Sequence, residues 1–191
     1  MGCSPFPPSR PDMELKLLPS LPPSEACFAC RGCCVFLTSD APWIPYFRKE
    51  EINQAIIAGI SQNAFPSQQG SHIIPVSHGD AFRCPALDPD THSCTIYNVR
   101  PLDCFIYPFI LMWDRAHKMI FLTLHEACPF VFTQTNPLPE TLVCRGADLT
   151  LMLQMPQMIE SLRAHPGMIM ATQPDTILIA PLDRLTKVMT N

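Results

Sequence analysis

Ten cysteines stand among the 191 residues of the chain, and most of them are grouped. Cys27, Cys30, Cys33 and Cys34 form a C-x2-C-x2-C-C run, while Cys84, Cys94 and Cys104 recur at two equal ten-residue separations. Cys128 and Cys144 lie further on, and Cys3 is isolated. A C-x2-C turn lets both sulfurs approach one ion or one cluster at the short distances that metal–sulfur bonding requires. The competing readings are a disulfide framework and buried or catalytic thiols; two dense, turn-rich groups favour metal or iron–sulfur ligation.

Cys27, Cys30 and Cys33 reproduce the opening of a bacterial ferredoxin-like run, in which a remote Cys followed by Pro can complete ligation. Cys84-Pro85 and Cys128-Pro129 offer such partners, but neither sits at the ferredoxin spacing, which disfavours an ordinary ferredoxin fold. The expected primary ligands are Cys27, Cys30, Cys33, Cys84, Cys94 and Cys104, with Cys34 and Cys128 able to complete a second site. Zinc would make a rigid tetrahedral thiolate site without redox activity, whereas a 4Fe-4S cluster would support electron transfer or bind substrate at an incompletely ligated iron. The ferredoxin-like triplet tilts the choice toward iron–sulfur and leaves a zinc or iron ion open. Cys3 and Cys144 stand outside the set.

Around the thiols, His92 and His125 lie two and three residues before a cysteine, as ligands, hydrogen-bond donors to ligands or ordinary histidines. Arg100 either makes a salt bridge that fastens its turn or lends positive potential to nearby sulfur, and Asp103 either orients it or is solvated. Asp88 and Asp90 are expected to cap turns.

These residues need elements to position them. The stretch from Pro45 to Ile60 spaces Phe47, Glu51, Ile52, Ala55, Ile56 and Ile60 at helical intervals, predicting the first clear helix with Pro45 in its first turn. IIPVS reads as a short strand or an extended approach to the second cysteine group. From Phe82 to Cys104 the chain is turn-rich and almost without periodicity, so a metal centre is the expected organiser. FILMW and MIFLTL, flanking the polar DRAHK, predict an antiparallel hairpin. Asp148 is the expected cap of a helix through LTLMLQM, followed by helical turns from Pro156 to Leu162, a strand at TILIA and a terminal helical turn at PLDRLTKV. The fold class is therefore α+β: a small, irregular single domain around a cysteine-ligated centre, with a hairpin and flanking helices. Residues 1–25, with seven prolines, form an arm, and residues 26–191 form the cysteine-cluster domain.

Composition excludes several functions. A net charge of -4 with 16% charged residues opposes a nucleic-acid binder that works by neutralising phosphates. The longest apolar run, Phe105 to Trp113, falls far short of the ~20 residues that span a bilayer. The first residues lack the basic segment and continuous apolar stretch of a secretory signal, so the cytoplasm is the expected compartment. No nucleotide-binding loop, dinucleotide fingerprint or H-E-x-x-H site is present.

CFACRGCC at Cys27–Cys34, followed by CPALDPDTHSCTIYNVRPLDCFIYP from Cys84 to Pro108, resembles the YkgJ-like cysteine-cluster proteins, a zinc- or iron-chelating domain of CxxCxxCC type. The resemblance runs from about Cys27 to Cys128. It implies metal or iron–sulfur binding through the four-cysteine opening and through the Cys-Pro-x-Leu, Cys-x-Ile-Tyr and Arg-Pro-x2-Cys elements, here Cys84–Leu87, Cys94–Tyr97 and Arg100–Cys104. A related domain occurs in a flagellin lysine methylating enzyme, so the resemblance permits an enzyme without establishing one. Three functions follow: a structural or redox metal or iron–sulfur protein with a redox or protein partner; a metal-dependent enzyme of methyltransferase-like type; or a zinc-stabilised interaction module.

Overall fold

The structure, a computed structural model, describes Cys27, Cys30 and residues 32–132 and 139–190. The proline-rich arm, Cys3 and Phe28 lie outside the described residues. The architecture is mixed α+β, as expected, and its contacts divide it into two compact units, Pro22–Phe105 and a second one containing Ile106–Asn191.

In the first unit the two cysteine groups are brought together by a three-stranded antiparallel sheet in the order β1-β5-β4: β1 (Val35–Phe36), β4 (Val76–His78) and β5 (Ala81–Arg83). Val35 faces Arg83 and Phe36 faces Phe82, so the strand leaving Cys34 pairs with the strand entering Cys84. A second pair joins β2 (Tyr46–Arg48) to β3 (Gly70–His72).

The first helix, α1, covers Lys49–Ile57, within the predicted stretch but without its first turn. Tyr46 and Phe47 are buried in β2 instead, where aromatic side chains suit the pleated surface. The helix starts where the Glu51 carboxylate accepts the backbone N–H of Arg48 at 2.9 Å. It stops in a Schellman motif. Gly59 takes the left-handed conformation at φ 103°, its N–H reaches the Ile56 carbonyl, and the Ile60 N–H reaches the Ala55 carbonyl. The apolar face of α1 meets Phe36, Ile44, Phe47, Phe65 and Ile73, and Cys84, Ala86, Leu87 and Ile96 extend the same core into the second cysteine group.

IIPVS is not one strand. Ile73 and Ile74 donate to the loop carbonyls of Pro45 and Ala64, and Pro75 separates β3 from β4. Between Cys84 and Cys104 regular structure is scarce, as predicted: a 3-10 turn at Tyr97–Val99 and the helix α2 (Leu102–Ile106) account for it.

In the second unit the predicted hairpin is present: β6 (Phe109–Trp113) pairs with β7 (Ile120–His125) from Phe109↔Leu124 to Trp113↔Ile120. Asp114 closes the connection by accepting the Lys118 and Met119 N–H groups. Strand β8 (Thr176–Pro181), predicted at TILIA, completes the sheet on the other side of β7. Helices α3 (Pro129–Phe132), α4 (Glu140–Leu153), α5 (Pro156–Ala164) and α6 (Asp183–Thr190) follow in chain order. The expected cap at Asp148 is a helix-interior position, because α4 begins at Glu140 and runs through Gly146. A Cβ at Gly146 would stand 2.8 Å from the Ile179 side chain of β8 and 3.3 Å from Phe109, so the glycine permits close helix–sheet approach.

Candidate metal centre

Cys27 and Cys30 each have helical backbone. Cys27 is half-buried and Cys30 exposed, its sulfur 3.3 Å from where a side chain on Gly32 would begin. Cys33 and Cys34 end a 3-10 turn, Gly32–Cys34, and β1 starts at the next residue. Their thiols hydrogen-bond to each other, an arrangement that lowers the pKa of Cys33 and raises that of Cys34.

Cys84 arrives from β5, and its N–H donates to the Cys34 carbonyl at 2.9 Å. Arg83 laces the turn that follows, with Nη1 donating to the Leu87 carbonyl at 2.5 Å. Leu87 and Cys94 then face each other in an isolated antiparallel bridge. Asp88 behaves as predicted, its Oδ1 accepting the Asp90 and Thr91 N–H groups at 2.9 and 2.8 Å. Those two bonds hold its pKa below the usual carboxylate range. Cys104 lies on α2, one residue after Asp103.

Electrostatics shows which thiols share a region. Charge on Cys33 raises the pKa of Cys34, Cys84, Cys94 and Cys104, and Cys84 and Cys94 also act on Cys104. For Cys84, Cys94 and Cys104 burial is the larger cause, pushing Cys84 up to about 12. The hydrogen bond from Cys33 is the larger cause at Cys34. Cys34, Cys84, Cys94 and Cys104, from both sequence groups, thus all lie within electrostatic reach of Cys33. Among the described residues, however, no three His, Cys, Asp or Glu side chains stand where one metal ion could be held. The donor chemistry of these soft thiols fits a thiophilic metal.

The supporting residues differ from expectation in detail. The Arg100 guanidinium stacks over the Tyr97 ring at 4.0 Å and lies 5.2 Å from the Phe105 ring, and its charge lowers the pKa of Cys94. Asp103 is not solvated: Oδ2 accepts the Tyr46 N–H at 2.9 Å, and burial raises its pKa to about 6. His92 is exposed at a left-handed turn position, φ 58°. His125 is buried in the second unit, with Nδ1 3.0 Å from the Tyr107 hydroxyl. Cys128, also buried, follows it in a turn closed by its N–H on the His125 carbonyl. Glu51 stands in the helical spacing of its own stretch, but its bond to the distant Leu102 N–H follows from no local pattern, and Arg83 belongs to no motif that would mark its bond to Leu87.

Residues 26–129 match the family model described as "CxxCxxCC: Putative zinc- or iron-chelating domain". No curated protein and no solved structure matches the chain. No helix among the described residues is long and apolar enough to cross a membrane.

Proposed function

The chain belongs to the CxxCxxCC family of zinc- or iron-chelating domains, and from that premise we propose that it binds a metal ion or an iron–sulfur cluster through its cysteines, in a structural or redox role. The observation that carries this reading is the gathering of Cys33, Cys34, Cys84, Cys94 and Cys104 within electrostatic reach of one another. Cys27 and Cys30, on the preceding helical turn, supply further thiols to the same unit. Cys128 remains a ligand candidate whose share is read from the loading of Cys128→Ser.

The chain's own residues prepare the site. Arg83 and Arg100 favour the thiolate forms of Cys84 and Cys94, respectively. The β1–β5 pairing fixes Cys34 beside Cys84, and the Tyr97 and Phe105 rings hold the Arg100 guanidinium that acts on Cys94. Bound zinc would cross-link the turns without redox chemistry, and an iron–sulfur cluster would add electron transfer.

Anaerobic purification followed by metal and acid-labile sulfide analysis tests the reading. Stoichiometric metal is expected. Iron with sulfide selects a redox centre, and zinc without sulfide selects a structural one. A chain that takes up neither, even after anaerobic reconstitution, excludes the metal-binding function.

A further inference from the structure

We propose that Glu51 is a positioning residue for Cys104, holding the start of α2 so that the thiol stands where a metal ion can recruit it; the proposal rests on the metal-binding reading above. Glu51 is 7% exposed and lies on α1, a helix that carries no cysteine. Its Oε1 accepts the N–H of Leu102 at 2.8 Å, and its Oε2 accepts the N–H of Arg48 at 2.9 Å. The Arg48 guanidinium closes on Oε1 at 2.5 Å. In return, Asp103 Oδ2 accepts the N–H of Tyr46 at 2.9 Å. Each segment therefore supplies one carboxylate and one backbone amide to the other, and the clasp closes on the two residues immediately before Cys104.

This clasp decides where Cys104 points. Helix α2 has five residues, too few to be stable alone, and its first amides have no partner within the helix. Leu102 is buried, so water cannot satisfy its N–H, and Glu51 does so. Helix α1 is the firmer of the two elements, stopped at its start by the Glu51 bond to Arg48 and at its end by Gly59. A carboxylate anchored on the firm helix and bonded to the first residue of the short one transmits its position to a thiol two residues on. Groups that orient metal ligands in this way tune the affinity of the site without touching the metal.

The test is anaerobic titration of Co²⁺ into the metal-free full-length chain, followed by thiolate-to-cobalt absorption, alongside thermal midpoints of the metal-free variants. Glu51→Ala is expected to weaken Co²⁺ binding by about 10- to 100-fold. Glu51→Gln keeps one oxygen for the Leu102 N–H but gives up the ion pair with the Arg48 guanidinium and the second oxygen that accepts the Arg48 N–H. It is expected to lower the midpoint while leaving Co²⁺ affinity and spectrum near those of the unsubstituted chain. In a Cys104→Ser background, Glu51→Ala should add no further loss, because both changes remove the same ligand. Equal additional weakening in that background, or affinities that simply follow the midpoints, overturns the proposal. If Glu51→Ala does not fold, Glu51→Asp takes its place: the shorter side chain keeps the charge but draws the acceptor back from the Leu102 N–H, so weakened Co²⁺ binding is expected, and unchanged affinity overturns the proposal. An unsubstituted chain that binds no Co²⁺ overturns the metal-binding reading and this proposal with it. Normal binding by both the unsubstituted chain and Glu51→Ala overturns the role of Glu51 alone.

Discussion

The N–H of Cys84 donates to the carbonyl of Cys34 at 2.9 Å, so the two cysteine groups are joined by their backbones and not only by whatever their sulfurs hold. The juxtaposition is a property of the folded chain. On the metal-binding reading proposed above, a bound metal would add the ordering of the turns that carry the sulfurs.

That ordering is measurable. Between Cys84 and Cys104 the backbone is held by turns, one bridge and a short helix, with little periodic apolar surface of its own. Metal removal should accelerate amide hydrogen exchange through this segment and lower the thermal midpoint, while the β6–β7 hairpin keeps its protection. Equal protection of the segment with and without metal contradicts an organising role.

Individual cysteines should separate by burial as well as by ligation. Cys84 is 6% exposed and Cys30 is on the surface. In the metal-free chain Cys84→Ser should cost about 1–3 kcal/mol through burial of an imperfectly bonded hydroxyl, whereas Cys30→Ser should stay within about 0.5 kcal/mol. Both should reduce metal loading, because Ser is a harder and less easily ionised ligand. Denaturant melts of metal-free protein and metal stoichiometry of loaded protein report the two effects separately. Unchanged loading in Cys33→Ser, Cys84→Ser and Cys104→Ser together would falsify the shared centre.

The metal-free chain should lose stability in alkali. Cys84 has its pKa raised by burial from 9.0 to about 12, and Cys94 and Cys104 are raised for the same main reason. A raised folded-state pKa means that the unfolded chain releases its protons first, so the stabilisation is complete below pH 9 and declines toward pH 12. Metal binding runs the other way: it expels those protons and tightens as pH rises. Denaturation midpoints from pH 8 upward, with and without metal, should diverge in this sense, and a flat metal-free profile would count against it.

His125 gives the opposite sign at the acid end. Burial holds its pKa below the ordinary 6.5, with Asp175 opposing the shift. The unfolded chain therefore takes up the proton first, and stability present above pH 6.5 falls as pH drops toward the folded-state pKa. His125→Gln should flatten this part of the curve, as followed by thermal melts between pH 7.5 and 5. An unchanged slope in the variant would assign the acid loss to other groups.

Gly146→Ala sets two effects against each other. Alanine gains about 1 kcal/mol in helix propensity over glycine, but its Cβ would meet the Ile179 side chain at 2.8 Å and Phe109 at 3.3 Å. Overpacking of this kind costs about 1–3 kcal/mol. A net destabilisation is expected, and a raised melting temperature would show that β8 yields.

The cysteine groups, the hairpin, β8 and the final helix were legible because each carries its own signal: ligand spacing, apolar runs about a polar turn, or helical periodicity. Other features were not. The helix expected from Asp148 starts earlier, at Glu140, and it passes through Gly146, whose missing side chain lets α4 approach Ile179 and Phe109. Tyr46 and Phe47 fit a helix by spacing, and only their pairing with Ser71 and His72 makes them a strand. The clasp of Glu51 with Leu102 and Asp103 with Tyr46 joins residues more than fifty apart, a relation that no local pattern encodes.

The pairing of Val35 with Arg83 also has a kinetic meaning. Joining β1 to β5 closes a long loop, and such non-local pairings form late because the chain must surrender its freedom before the contact rewards it. Cys27 to Cys34 are neighbours from the moment the chain is made, whereas Cys84, Cys94 and Cys104 join them only after that closure. A metal ion present during folding therefore meets the first group of sulfurs before the second. Were these thiols to hold a metal, the clock of chain closure, as much as the strength of any one bond, would set the order of their recruitment.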